Sequence, residues 1–512
     1  MTDSVPRSWT AKRWLWTRWH TLRYSLVKPQ KIGAPKPGEE QIDAVPLQES
    51  QPRIPAAKVQ VFARLPKDER SLGMRITVAF ALFLNKVLRP MRSGLPEIDE
   101  DIDKALAVGL SGGYAGAFRP PILPEIYAGD GIPELGDLAV QSPYSVFLER
   151  AADGVLQMDF TILGRFEHQQ GLRSLGVRVR FSESVEPGRL TAVEIESDEY
   201  GTVRREDSTW EASTALAVCA ATTHMSLTRH FNYVHLISGN HWEIATRNHL
   251  PADHPLYRLV WPHIFNSLFT NYAITAVQML PDGDFVNMFS FTHEGLMKYY
   301  DAMYEDYDIA MTDPEADWER RGLSGSSFDA PSHENLCDLF NLMFEHTKRY
   351  VHAYYETDDA LQGDEAVIAW MDGLDALIPN GLNGALNDGV TRDGIARVIA
   401  AYIYEGNTIH DLTGTTLWDY QLWVDRNPTR IYKDGRRLPV DVFQRLIVNN
   451  FALQIKRAPM LASYEQVALD DRGASLFRQF YQECLSLQDR YDQTEAGPWR
   501  MEPRNLEISM NG

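Results

Sequence analysis

Five histidines fall within the 27 residues from Arg229 to Pro255, namely His230, His235, His241, His249 and His254, in a chain of 512 residues that holds 14. Imidazole can ligate a first-row transition metal, carry a proton, or sit as a satisfied interior side chain. His230 and His235 are five residues apart. In a regular α-helix that spacing turns the second ring about 140° from the first, so the two cannot meet at one ligand. A π-type widening brings positions i and i+5 onto one face, and such widenings concentrate at functional sites. The pair is therefore either two interior histidines or a metal-ligand pair that requires a local change of helix type. His254, before a proline in LPADHPLY, reads as a turn or capping residue. His241, His249 and His263 have no partner spacing that points to ligation.

The elements that must position these rings are mostly helical in pattern. STWEASTALAVCAATTHMSLTRHFNYVHLIS (208–238) reads as one long, largely apolar helix with Ser208 or Thr209 as its cap. LISGNHWE, with Gly239 and Asn240, is expected to end or kink it. Further helices are expected over 333–355, 392–412, 439–458 and 472–492. Between 155 and 208, VRVRFSESV and RLTAVEIES alternate polar and apolar residues around EPG, the pattern of an antiparallel hairpin or small sheet. The fold class is mainly α, built around a long buried central helix.

A formal net charge of −20 argues against a nucleic-acid partner, since no basic surface is spread through the body of the chain. Three distant cysteines, Cys219, Cys337 and Cys484, make neither a disulfide framework nor a thiolate metal site. The N-terminus breaks the acidic pattern: seven Lys or Arg stand against one acid over 1–32, with Trp9, Trp14, Trp16 and Trp19 among them. Residues 1–27 read as a basic, Trp-rich amphipathic segment, either lying on an anionic membrane surface or docked on the acidic body. Six prolines mark 28–64 as a linker, and 65–512 as the main domain. The expected location is cytoplasmic, with peripheral membrane contact if the first of these readings holds.

HFNYVH (230–235), IATRNHLPADHPLY (244–257) and PHIFNSLFTN (262–271) follow one another along the chain, and together they resemble the central-helix pattern of the lipoxygenases. YVHAYYETDDALQGDEAVIAW (350–370) and DPEADWERRGL (313–323) resemble further landmarks, so that the resemblance covers about 150–512. It implies a helical catalytic domain without the N-terminal β-sandwich of longer members.

The resemblance also implies a metal centre. Its ligands would be His230, His235, His410 in NTIHDLTGTTLWDYQLW, and the terminal carboxylate of Gly512 in MEPRNLEISMNG. The family's weak ligand would fall at Gly414, which has no side chain; Thr413 and Asn407 are the neighbours that could substitute, without a clear helical route. Three imidazoles and one oxygen anion suit Fe(II), with Mn(II) as the alternative. The implied reaction is removal of a hydrogen atom from a doubly allylic CH₂ of a polyunsaturated fatty acid and addition of O₂ to give a hydroperoxide. No separate acid or base is implied. An apolar channel lined from LFTNYAITAV (268–277) would hold the lipid, and Arg247 or Arg258 would be either a carboxylate partner or an ordinary surface arginine. Between His235 and IAT the chain is about one turn shorter than the family's spacing. That leaves room for a divergent oxygenase with another substrate, or for a non-catalytic lipid-binding relative.

Overall fold

The structure is a computed structural model. It describes residues 31–36, 41–70, 76, 126, 131–183, 188–382, 389–418, 420–422, 426–435, 458–494 and 499–510. The N-terminal segment 1–27, almost all of the helix expected over 439–458, and Gly512 lie outside the described residues.

The alternating segments form β-structure, and more of it than one hairpin. The short strands Ala44–Pro46 (β1) and Gln60–Phe62 (β2) pair with each other. Glu149–Arg150 (β3), Leu156–Asp159 (β4), Val177–Glu183 (β5), Leu190–Ser197 (β6) and Gly201–Arg204 (β7) make one antiparallel sheet in chain order. β5 and β6 are the two expected strands, in register Val177↔Ser197. Val177, Val179 and Phe181 face the core while Arg178 and Arg180 face outward, as a half-buried sheet requires. The flanking strands were too short to show a periodicity.

Helix α1 (Trp210–His224) packs on β5 and β6. Thr209 stands at its N-cap position, without a side-chain capping bond. The helix continues unbroken through a π segment, Met225–Gly239, into α2 (Asn240–His249). Within the π segment every residue but Arg229 is buried, the polar Ser226, Thr228, Asn232 and Ser238 included. The expected stop at Gly239-Asn240 does not occur. Gly239 keeps helical backbone (φ −61°, ψ −37°). Its missing side chain serves close approach instead: a Cβ there would lie 2.5 Å from Met510 Sδ and 2.8 Å from Asn271 Nδ2. Asn240 reinforces the helix by donating from its amide to the Leu236 carbonyl at 2.9 Å.

Around this rod lie α3 (Ser267–Ala273), α4 (His293–Glu305), α5 (Pro314–Arg320), α6 (Pro331–Tyr354), α7 (Glu365–Leu377), α8 (Arg392–Tyr404), α9 (His410–Trp418) and α10 (Asp471–Asp492). α3, α4 and α9 pack on the π segment, α7 packs on α2, and α6 bridges α8 and α10. Among the described residues no helix is long and apolar enough to cross a membrane.

Much of the stretch read as a linker is part of this body. Leu47, Ile54, Ala56 and Val59 are wholly buried. Asn248 clasps the Ile42 backbone on both sides, accepting from its N–H at 2.8 Å and donating to its carbonyl at 2.9 Å. The Asp301 carboxylate accepts from the backbone N–H groups of Ala57 and Lys58, both at 2.9 Å. Proline spacing hid this because side chains from distant elements, together with the short β1–β2 pairing, satisfy the backbone.

Candidate metal centre

The π segment does for His230 and His235 what a regular helix cannot. Their ring centroids lie 4.8 Å apart. His410 opens α9 directly after another, shorter π segment, Glu405–Ile409. Its ring stands 5.0 Å from that of His230 and 5.1 Å from that of His235. One nitrogen from each ring lies within 4.8 Å of the others, and each side chain is only 3% exposed. Of the sequence-derived ligands the structure thus brings three together.

The partners of each Nδ1 decide which nitrogens face inward. Asn271 donates its Nδ2 to the His235 carbonyl at 2.6 Å and to Asn240 Oδ1 at 2.8 Å, which fixes the orientation of its amide. Its oxygen, 3.1 Å from His235 Nδ1, can only accept, so that nitrogen carries the proton. Asp411 Oδ1 accepts from His410 Nδ1 at 3.1 Å in the same way. Thr413 Oγ1 lies 2.9 Å from His230 Nδ1. The threonine's one proton is directed to the Ile409 carbonyl at 2.7 Å, which leaves its lone pairs to accept from the ring. With every Nδ1–H held, three Nε2 lone pairs remain to converge on one point, the arrangement by which outer residues orient metal-binding histidines. Burial, followed by the neighbouring histidines, holds His230 and His235 far below the usual imidazole range, so both are neutral donors.

The anchors are themselves anchored. Asp411 Oδ2 accepts the Glu507 backbone N–H at 2.7 Å, tying the C-terminal segment to α9. The first N–H groups of α3, which carries Asn271, are held by two buried carboxylates. Glu243 Oε2 accepts from Leu268 N at 3.0 Å and Glu69 Oε2 from Phe269 N at 2.7 Å. Arg247 joins that pair and is neither a surface residue nor free for a substrate carboxylate. Its side chain is 6% exposed and bonds to Glu243, Glu69 and Asp68. Arg258 is spent on the carbonyls of Ala252 and Val467.

Gly414, on α9, offers no ligand. Asn407 is engaged elsewhere: its amide nitrogen donates to the Glu507 carbonyl and its oxygen accepts from Thr408 Oγ1 at 3.2 Å. Thr413 acts on His230 instead. Gly512 is not described, but Met510, two residues before it, is wholly buried. Met510 sits against both ligand-bearing helices: a Cβ at Gly406 would lie 3.0 Å from its Cε, and the one at Gly239 would strike its sulfur. His263 Nδ1 donates to the Ile508 carbonyl at 2.7 Å, so this histidine positions the C-terminal segment. His254 caps the helix Pro255–Ile264 by accepting from Leu256 N at 3.2 Å, as its place before Pro255 implied. His241 bonds to Tyr304 at 3.1 Å, and the His249 ring lies against Gly373. The segment 268–277 runs beside the π segment with Leu268, Phe269, Ala273, Ile274 and Val277 buried.

No protein-family model matches the sequence. Among curated proteins, the seed linoleate 9S-lipoxygenase-3 of Pisum sativum is 20% identical over 240 residues, which are 44% of this chain and 27% of that protein. The manganese lipoxygenase of Pleurotus sapidus is 22% identical over 223 residues, 42% of this chain and 34% of its own. The aligned part is thus about a third or less of each relative's length. Among solved structures, a calcium-dependent 11R-lipoxygenase superposes with a TM-score of 0.73 at 13% identity, covering 96% of this chain and 80% of that one. A helical body around one long buried helix, with a small antiparallel sheet at its side, is the lipoxygenase fold, and it is the fold of this chain.

Proposed function

We propose that this protein is a non-heme metal dioxygenase that inserts O₂ into a polyunsaturated fatty acid or a similar lipid to give a hydroperoxide. The observation that carries the reading is the convergence of His230, His235 and His410 with every Nδ1 held by an acceptor. Three imidazole nitrogen donors in a buried site fit a first-row divalent ion, iron first and manganese as the alternative. The carboxylate of Gly512 is the proposed fourth ligand, supported by Met510 leading the chain between Gly239 and Gly406. A redox-active metal held by these residues would supply one-electron chemistry, accepting an electron as a doubly allylic CH₂ loses a proton and returning it, with a proton, once O₂ has added, so that the net reaction is lipid plus O₂ to hydroperoxide. The protein's own part is to fix three ring planes through Asn271, Asp411 and Thr413, and to keep water from the buried site. The segment 268–277 is the proposed wall of the lipid channel, and residues 1–27 the proposed contact with an anionic membrane surface.

Gly414 supports a second reading, in which the same scaffold oxidises a different substrate. Metal analysis of the purified protein followed by oxygen uptake with linoleate tests both. About one iron or manganese per chain with linoleate-dependent uptake is expected. Metal without uptake would favour the second reading, and absence of bound metal would overturn both. One alanine appended after Gly512 should greatly lower metal content, because it replaces the anion with a neutral amide and moves the charge about 3.5 Å onward. Equal loading would remove Gly512 from the ligand set.

A further inference from the structure

A second group of metal-ligating side chains lies outside the three-histidine centre. His333 and Cys337 stand one turn apart at the start of α6, hence on one helix face, and Glu315 reaches them from the start of α5. Cys337 Sγ lies 3.6 Å from His333 Nε2 and 3.7 Å from its Nδ1. Glu315 Oε2 lies 4.0 Å from His333 Nε2, and one donor atom from each of the three falls within 4.8 Å of the others. The His333 ring is stacked on Trp318 at 4.0 Å and 14°, which fixes its plane. Among the described residues its ring nitrogens make no hydrogen bond except to the Cys337 sulfur.

We propose that Glu315, His333 and Cys337 form a binding site for a zinc-like divalent cation, separate from the three-histidine centre and joining α5 to α6. One thiolate, one imidazole and one carboxylate are the donor types of a zinc site with an open fourth position for water. That position has access to solvent, since the Glu315 side chain is 71% exposed while Cys337 is buried. His333 is held below its usual range by burial, so it is a neutral donor near pH 7. Burial, then the nearby Glu315, pushes the Cys337 thiol up, so the metal-free group keeps its proton and donates it to the Glu315 carboxylate. Binding therefore forms an S–metal bond, breaks the S–H bond and releases one proton to solvent, with no change of oxidation state. The helices joined here matter to the fold because α6 packs on α8, the helix that leads into the π segment before His410.

Cobalt(II) is the probe, added to the full-length protein with its three-histidine centre already loaded. A thiolate ligand gives cobalt(II) a near-ultraviolet charge-transfer band, and a centre of imidazoles and a carboxylate cannot. We expect a saturable band that zinc bleaches, that is absent in Cys337→Ser, and whose cobalt affinity falls at least about tenfold in Glu315→Gln. The exposed position of Glu315 makes that variant independent of folding effects at Cys337. No band in the native protein, a band that survives Cys337→Ser, or an unchanged affinity in Glu315→Gln would each overturn the proposal.

Discussion

Replacing Asp411 with asparagine alters no volume and removes one charge, yet it should unsettle the metal centre. The carboxylate is 1% exposed and serves two donors, His410 Nδ1 at 3.1 Å and the Glu507 backbone N–H at 2.7 Å. An asparagine has one accepting oxygen, so one of these donors must face an NH₂ group. Hydrogen bonds to a charged group contribute about 1.5–3 kcal/mol each and neutral ones about 1 kcal/mol. Losing one and weakening the other gives a cost of about 2–4 kcal/mol, a large share of the roughly 5–15 kcal/mol that holds a domain folded. The strain can relax in two ways. Either the oxygen stays on His410 and the C-terminal segment loses one of its ties, or the His410 proton moves to Nε2 and the lone pair leaves the centre. Both routes should weaken metal binding, by about 10–100-fold for a lost orienting partner. Chelator competition with iron or manganese measures the affinity, and urea unfolding of the chelator-stripped protein measures the stability. A folded Asp411→Asn variant that binds metal within about twofold of the native protein would refute the claim that this carboxylate sets the His410 tautomer.

Gly239→Ala places a methyl group 2.5 Å from Met510 Sδ and 2.8 Å from Asn271 Nδ2. It should cost about 1–3 kcal/mol and lower metal content together, with thermal unfolding and metal analysis as the readouts; an unchanged melting temperature would contradict it. Burial pushes His224 down to about 3 and His241 and His263 down to about 4. An unfolded chain takes up protons on these rings below about pH 6.5 that the native state refuses, so stability rises with pH through this window. Acidifying the chelator-stripped protein from about pH 6.5 to 5 should cost up to about 1.4 kcal/mol per unit for each ring, and a flat urea-midpoint profile would count against it. Glu405 has the opposite sign. Burial raises it to about 7 while Ser238 and Tyr307 donate to its Oε2, so its favourable contribution is lost as pH rises through about 7. Glu405→Gln should therefore gain on the native protein between about pH 5 and 7, by on the order of 1.4 kcal/mol per unit, and a constant difference would refute it. Deleting residues 1–27 should leave the fold and metal content intact while weakening sedimentation with anionic vesicles at low salt; unchanged vesicle binding would favour the docked helix.

What could be read in advance was what repeats along the chain or is carried by a long motif. The five-residue spacing of His230 and His235 required a widened helix if the two were to act as a ligand pair, and Met225–Gly239 provides one. The alternation in VRVRF and LTAVEI gave β5 and β6. Asn271, Asp411 and Thr413 lie within PHIFNSLFTN and NTIHDLTGTTLWDYQLW, but their part as anchors of the rings left no such trace, because hydrogen-bond partners are set by folding and not by spacing. Asn271 is 36 residues from His235 and Thr413 is 183 from His230. Arg247 shows the same limit: its ion partners Asp68 and Glu69 come from a region that reads only as proline-rich surroundings and the edge of a domain. Glycine was ambiguous in a different way. At 239 it looked like a helix stop, and the reason for it lies in a methionine 271 positions downstream.

The π segment also acts as a phase adjuster within a single rod. A helix that stayed regular from Trp210 to His249 would present its far half to the surroundings at a different angle, since each residue of register is worth about 100° of rotation. α1 must face the sheet, α2 must face α7, and the stretch between must turn two imidazoles toward α9. Deleting one residue between His230 and His235 would give a four-residue spacing that a regular helix accommodates, so the two rings could still meet. Everything beyond would then arrive out of phase: Asn240 would swing from Asn271, and Gly239 would no longer clear Met510. The widened turns thus keep time between two packing faces as much as they gather ligands, and the metal centre sits where that correction is made.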